Sequence, residues 1–267
     1  MPLIVFSHAN SFPASAYGVL FKSLRARGFS VAAVDKFGHD PKYPVSNNWP
    51  HLVRQLADFA QPEVDKAGEP AFLVGHSLGG FLSLMCAARH PELARGVLLI
   101  DSPILGGWRA TTLGMIKRTP LLGEMSPGAV SRTRRNSWPS LEAALEHFQH
   151  RKAFAKWDAQ MLRDYVWRCT HVAAGQRVLS FDRGVETAIY NTVPDNLDRL
   201  LARHPLKCKV AFLGGTRSRE MKQIGMTMTE RLVKGRIMML DGSHLLPMEK
   251  PLATAAAIEA SLHNLAS

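Results

Sequence analysis

Residues 71–80 read Ala-Phe-Leu-Val-Gly-His-Ser-Leu-Gly-Gly. A short apolar run ends in Gly75-His76-Ser77-Leu78-Gly79, and an amphipathic stretch of helix length, Gly79–Arg89, follows. A strand that enters a helix through Gly-x-Ser-x-Gly sets its serine on a sharp, strained turn, a nucleophile elbow, with the hydroxyl thrust into the open. Glycine is needed at 75 and 79 because side chains there collide across the turn. The same turn puts the Leu78 N–H at a helix N-terminus, aimed at charge that develops beside Ser77.

Five more apolar runs flank this one: Leu3–Ser7, Val31–Asp35, Gly96–Asp101, Val210–Gly214 and Arg236–Asp241. They are continuous rather than alternating, as strands buried on both faces are. Helix-length amphipathic stretches alternate with them at Ala16–Arg27, His51–Lys66, Met221–Val233 and Leu252–Leu265. The pattern predicts an α/β protein, a doubly wound and mostly parallel sheet of about six strands. About a hundred residues interrupt the rhythm after Asp101 and read as helices at Leu141–His150, Asp158–Thr170, Val185–Tyr190 and Asn196–Arg203. The expected organisation is a core of residues 1–104 and 205–267 with an α-helical cap, 105–204, inserted at the carboxyl ends of the strands.

Two further segments point to the same end of the sheet. Phe6-Ser7-His8-Ala9-Asn10-Ser11-Phe12 closes the first strand. A loop there supplies a second oxyanion donor beside an elbow, here the Asn10 backbone N–H, with the His8 ring bracing the loop. Asp241-Gly242-Ser243-His244 follows the last strand and precedes Pro247-Met248-Glu249-Lys250-Pro251. A histidine in that place can hang over the elbow as general base. His76 reads as bulk filling the elbow, and His39 as a loop residue that could line the cleft but reads better as a surface residue.

Together these motifs resemble the α/β-hydrolase fold family, specifically its cap-bearing serine hydrolases, and Asp35-Lys36-Phe37-Gly38-His39-Asp40 is similar to that family's Asp-x-x-Gly-x-Gly turn. The resemblance covers most of residues 1–105 and 205–267. It implies a nucleophile–acid–base triad of Ser77, a later acid and His244. Two departures stand out. The family's two N-terminal antiparallel strands are missing ahead of Leu3, which predicts an exposed or partner-covered sheet edge. The family's usual acid position, three residues past the glycine that follows the strand Val210–Gly214, here Gly215, holds Ser218. Asp101, at the end of the neighbouring strand, and Glu220 are the candidate replacements, and Asp241 is too near His244 in sequence to face its ring. Because the nucleophile position is Ser77, the carboxylate-dependent epoxide hydrolase and haloalkane dehalogenase activities are not expected.

The expected activity is carboxylic ester hydrolysis through an acyl-enzyme on Ser77. The same constellation serves C–C bond hydrolases, lactonases, thioesterases and acyltransferases, and a non-catalytic ligand-binding module is the contrasting class. Phe12, Trp108, Trp157, Phe181 and Tyr190 are candidate walls of the substrate pocket, and Arg183 and Glu186 are candidates to face the cleft. Neither metal-ligand spacing nor a Gly-rich phosphate loop is present, so no metal and no cofactor are expected.

Composition sets the outer bounds. The chain has 267 residues, 46% hydrophobic and 21% charged, with mean hydropathy −0.07, which excludes disordered and low-complexity classes. Basic residues exceed acidic by 33 to 22. They are scattered, with no nucleic-acid motif around Arg132, Arg134 and Arg135, so a solvated basic face is expected rather than a nucleic-acid partner. No apolar run approaches the ~18–20 residues of a membrane span. Three distant cysteines, Cys86, Cys169 and Cys208, fit a reducing compartment, and with no signal-peptide pattern the expected location is cytoplasmic. Oligomeric state stays open.

Overall fold

The computed structural model describes residues 1–104, 106 and 127–267. Trp108 lies outside them. The described strands are β1 (Leu3–Ser7), β2 (Ser30–Ala33), β3 (Ala71–His76), β4 (Ala94–Ile100), β5 (Ser137–Trp138), β6 (Thr170–Ala173), β7 (Gln176–Leu179), β8 (Lys209–Gly215) and β9 (Ile237–Leu240). Six of them form one parallel sheet in the order β2-β1-β3-β4-β8-β9, with Phe6 beside Val74 and Val74 beside Leu98. All six correspond to the six apolar runs of the sequence.

Helices α1 (Gly18–Ala26), α2 (Pro50–Ala67) and α3 (Leu78–Arg89) belong to the first half of the sheet. Between β4 and β8 lie α4 (Pro127–Thr133), α5 (Leu141–Gln149), α6 (Ala159–Arg168), α7 (Arg183–Asn191) and α8 (Leu197–Arg203). After β8 come α9 (Arg219–Ile224), α10 (Thr227–Val233), α11 (Leu246–Glu249) and α12 (Pro251–Ala266).

Strand alternation divides the core into two layers. Ile4, Phe6, Phe72, Val74, Leu98, Ile100, Ala211 and Leu213 pack with Leu20 and Leu24 of α1 and Ile258 and Leu262 of α12. Leu3, Val5, Ala71, Leu73, Val97, Leu99, Val210 and Phe212 pack with Leu52 and Leu56 of α2 and Leu82 and Met85 of α3. Successive side chains of a strand point to opposite faces. A sheet covered on both faces therefore demands apolar residues at every position, which is why these strands read as unbroken runs. Each large apolar side chain fully buried here stabilises the fold by roughly 1.5–3 kcal/mol.

The strand order decides where the site forms. The chain leaves β1 for β2 on one side, then returns to β3 on the other. The loops after β1 and β3 consequently diverge at the carboxyl edge, and such a switch point opens a crevice there.

Two local expectations need correction. The segment between β4 and β8 is not all helical: β5, β6 and β7 form a three-stranded antiparallel sheet in the order β5-β7-β6. The β6–β7 hairpin turns through Ala174 (φ 48°) and Gly175 (φ 72°), both left-handed as a two-residue hairpin loop requires. Strands of two to four residues are too short to display a period of two, and the helical pattern of Asp158–Thr170 runs directly into the hairpin. The single expected helix over Met221–Val233 is likewise two, α9 and α10, separated at Gly225 with φ 81°. Among the described residues no helix is long and apolar enough to cross a membrane.

Candidate active site

Ser77 occupies the turn between β3 and α3 with φ 53° and ψ −116°, a conformation rare for any residue with a side chain. The surroundings hold it there. Its N–H donates to the Ile100 carbonyl (3.0 Å), and the Ser102 hydroxyl donates to the Ser77 carbonyl (2.9 Å). A Cβ at Gly75 would lie 2.0 Å from the Gly79 carbonyl oxygen, and one at Gly79 1.9 Å from that of Ser7. The two glycines thus let the elbow close on itself and on the end of β1. Leu78 is the first residue of α3, so its N–H has no partner within the helix.

His244, in the loop after β9, meets the serine. Its Nε2 is 2.9 Å from Ser77 Oγ, and its Nδ1 is 2.8 Å from Asp101 Oδ1. Asp101 is fully buried and sits just past β4 with φ 44°. Its carboxylate accepts three hydrogen bonds: Oδ1 from Ser218 Oγ (2.6 Å) and His244 Nδ1, and Oδ2 from the Gly215 N–H (2.7 Å). Ser218, at the position where the resemblance places an acid, therefore orients Asp101 instead. Glu220 Oε2 is 3.7 Å from His244 Nδ1 and its side chain is 42% exposed. Both candidate acids face the imidazole, and Asp101 makes the shorter contact. Burial works against a charged His244, but the Asp101 hydrogen bond and the Glu220 and Asp101 charges outweigh it and raise its pKa. Among the described residues, Asp101, Glu220 and His244 also form a cluster with metal-capable atoms within 4.8 Å of one another. Those atoms are the ones that orient the imidazole.

The loop after β1 is braced as the sequence suggests. His8 is fully buried; its Nδ1 lies 2.8 Å from the Ala9 carbonyl and its Nε2 accepts the Phe37 N–H at 2.9 Å. The carbonyl can only accept, so the proton is on Nδ1. Burial lowers the His8 pKa to about 4 and keeps the ring neutral. Asn10 follows at 5% exposure, beside the elbow end of β1.

Three residues make contacts that the sequence did not reveal. His76 does more than fill the elbow. Its Nε2 donates to the His244 carbonyl (2.8 Å) and its Nδ1 accepts the Tyr17 hydroxyl (2.8 Å), which in turn accepts the Ala9 N–H (3.1 Å). Burial pushes the His76 pKa down to about 3, so this chain of fixed direction ties the β1 loop to the histidine loop. Glu249, from the Pro-x-Glu-x-Pro segment, accepts from the Ser243 N–H (2.9 Å) and hydroxyl (2.6 Å) next to His244. His39 accepts the Asp182 N–H through Nε2 (2.9 Å), linking the β2 loop to α7 rather than lying free at the surface. Residue type and spacing mark their places in the motifs but not these partners.

The candidate pocket aromatics divide. Trp157 is 8% exposed and packs with Phe12 (5.6 Å between ring centroids), Phe154 and Tyr165. Phe12 also meets Tyr165 at 5.7 Å, so both belong to an aromatic cluster joining the β1 loop to the inserted segment. Phe181 is buried between His8 and His39. Tyr190 lies on α7, and burial raises its pKa.

A parallel sheet with a strained serine and a paired histidine at its carboxyl edge defines a doubly wound protein with an elbow-type site. The family model described as the alpha/beta hydrolase family matches residues 4–257, and the chain belongs to that family. It is similar to the monoglyceride lipase of Rattus norvegicus (29% identical over 129 residues, 47% of this chain and 43% of the lipase). It is also similar to epoxide hydrolase B of Mycobacterium tuberculosis (32% over 110 residues, 39% of this chain and 30% of that protein). These matches span less than half of either relative's length. Among solved structures the same fold is seen in E-2-(acetamidomethylene)succinate hydrolase (TM-score 0.69, 21% identity, covering 98% of this chain and 91% of that one). It is seen again in the thioesterase domain from the curacin biosynthetic pathway (TM-score 0.73, 18% identity, 97% and 91%).

Proposed function

We propose that the protein is a serine hydrolase acting on carboxylic esters through an acyl-enzyme on Ser77. The observation that carries this reading is the continuous contact from Ser77 Oγ through the His244 ring to Asp101, at 2.9 and 2.8 Å. A general base must lie within about 2.6–3.2 Å of the proton it takes. His244 Nε2 takes the Ser77 proton as the oxygen attacks the ester carbonyl. The Leu78 and Asn10 N–H groups hold the oxyanion, and donors of this kind contribute ~10²–10³ each in rate. Asp101 keeps the proton of neutral His244 on Nδ1 and stabilises the imidazolium that forms. The imidazolium then protonates the leaving alcohol, and a water activated by His244 releases the acid. Glu220 adds a second negative charge near the ring. The segment 105–204 acts as the cap over this site, with Tyr190 among the residues that meet substrate.

A fluorophosphonate probe and a short-chain aryl ester test the reading together. Wild-type protein labels at Ser77 and turns over the ester, and Ser77→Ala does neither while keeping its circular dichroism spectrum. Undiminished turnover by Ser77→Ala refutes the assignment. A well-folded wild type that is inert to the probe favours a ligand-binding role instead.

A further inference from the structure

Residues Ala9 to Phe12 form a turn closed by the Phe12 N–H on the Ala9 carbonyl (3.2 Å), with Ser11 as its third residue at φ 77°. A left-handed third residue is what a type II turn requires, and glycine or asparagine ordinarily fills it. Serine there needs a compensating contact, and α7 provides it. Ser11 Oγ donates to Glu186 Oε1, and Asn10 Nδ2 donates to the Glu186 main-chain carbonyl (3.1 Å). One residue of the inserted segment thereby grips both central residues of the turn.

Glu186 is 4% exposed. Burial raises its pKa, while the Arg134 charge and the Ser11 hydrogen bond pull in the opposite direction. Arg134 Nη2, just past α4, lies 2.7 Å from Glu186 Oε2, and Arg183 Nη1 donates to the Arg134 carbonyl (2.9 Å). Withdrawing a carboxylate from water is costly unless such partners meet it. Apolar packing of Phe12 against Trp157 already joins the loop to the inserted segment. Attachment alone therefore does not account for a buried carboxylate at this point. The polar grip falls on the residue proposed as oxyanion donor and on its neighbour.

We infer that Glu186 is a positioning residue for the oxyanion hole, holding the Asn10–Ser11 turn in the conformation that presents the Asn10 N–H to the substrate oxyanion; the inference rests on the serine-hydrolase reading above. Release of Ser11 to negative φ rotates the Asn10–Ser11 peptide and displaces the donor beside it. The effect belongs to the transition state, in which the oxyanion exists, and not to ground-state binding.

The test compares kcat and KM for p-nitrophenyl acetate with the inhibition constant of phenylboronic acid, which becomes tetrahedral on the serine and so reports the hole. In Glu186→Ala, kcat falls about ten- to a hundredfold, at or below the ~10²–10³ that outright loss of one donor produces, because the donor is displaced and not removed. KM stays within about twofold, and the boronate constant rises in step with the loss in kcat. Glu186→Gln keeps an acceptor for Ser11 and the main-chain carbonyl for Asn10, and recovers kcat to within about threefold of wild type. Ser11→Ala leaves the Glu186–Arg134 pair in place and serves should Glu186→Ala not fold; its kcat falls about five- to tenfold with KM unmoved. An unchanged kcat in Ser11→Ala, or a boronate constant that does not follow kcat, overturns the inference. Fluorophosphonate labelling of the wild type separates the two levels. Without labelling the hydrolase reading itself fails, whereas labelling with unchanged Ser11→Ala kinetics removes only the role of Glu186.

Discussion

Replacing Asp101 by asparagine is the most discriminating test of the site, because the hydrogen bonds around that buried carboxylate dictate how an amide must sit. Asp101 Oδ2 accepts the Gly215 N–H at 2.7 Å, and a backbone N–H cannot accept. The asparagine must therefore turn its carbonyl oxygen to Gly215 and its NH₂ to Ser218 and His244. Ser218 Oγ can accept from that NH₂. His244 Nδ1 can do so only without its own proton, which moves to Nε2 and points at Ser77 Oγ. The imidazole is then the wrong tautomer to receive the serine proton, a fault worth ~10⁴ in kcat where it occurs in such triads. Glu220, 3.7 Å from Nδ1, still favours a proton on Nδ1 and reduces the damage. The expected loss in kcat/KM is about 10³, or ~4 kcal/mol in the barrier. Ester turnover and a urea melt of the same preparation check it, and stability should change little because the two side chains are nearly equal in shape. Glu220→Gln should lose only about two- to fivefold, as expected of a half-exposed charge. An Asp101→Asn enzyme within tenfold of wild type, alongside a Glu220→Gln enzyme reduced a hundredfold, would reverse the two roles.

Four other outcomes follow from the geometry. His244 must be neutral to act as base, and its pKa is raised above the ordinary 6.5, so kcat/KM should fall with acid from above pH 6.5. Removing the Glu220 charge should move that acid limb to lower pH in a pH–rate profile. His8 and His76 have folded pKa values lowered to about 4 and about 3, so the unfolded chain binds more protons than the folded one below pH 6.5. Stability should be fully present above pH 6.5 and decline as pH falls toward 4, by on the order of 3 kcal/mol for His8 alone, as urea melts across that range would show. Tyr17→Phe leaves the Ala9 N–H and His76 Nδ1 without their partner, and each orphaned buried group costs about 1–3 kcal/mol. A melting temperature equal to wild type would refute the chain of hydrogen bonds proposed to join the two loops. Gly79→Ala sets a methyl group 1.9 Å from the Ser7 carbonyl, and soluble, folded protein from that variant would contradict the elbow geometry.

Residues 71–80, the six apolar runs and His244 were readable because each is governed by local rules. Strands buried on both faces need continuous apolar residues, an elbow needs its glycines, and a histidine placed after the last strand returns to the carboxyl edge whatever the details of packing. The acid is narrowed by the sequence to two residues and no further. Asp101 and Glu220 both lie at plausible places along the chain, and only the tertiary structure sets one at 2.8 Å and the other at 3.7 Å from the same nitrogen. The β6–β7 hairpin is not legible in the sequence because four-residue strands carry too little period to be distinguished from the end of a helix. The contacts of His76, Glu249 and Glu186 are not legible for a further reason. Their partners, at His244, Ser243 and Ser11, are fixed by where loops meet in space, and hydrogen bonds between distant loops leave no periodic mark on the residues that make them.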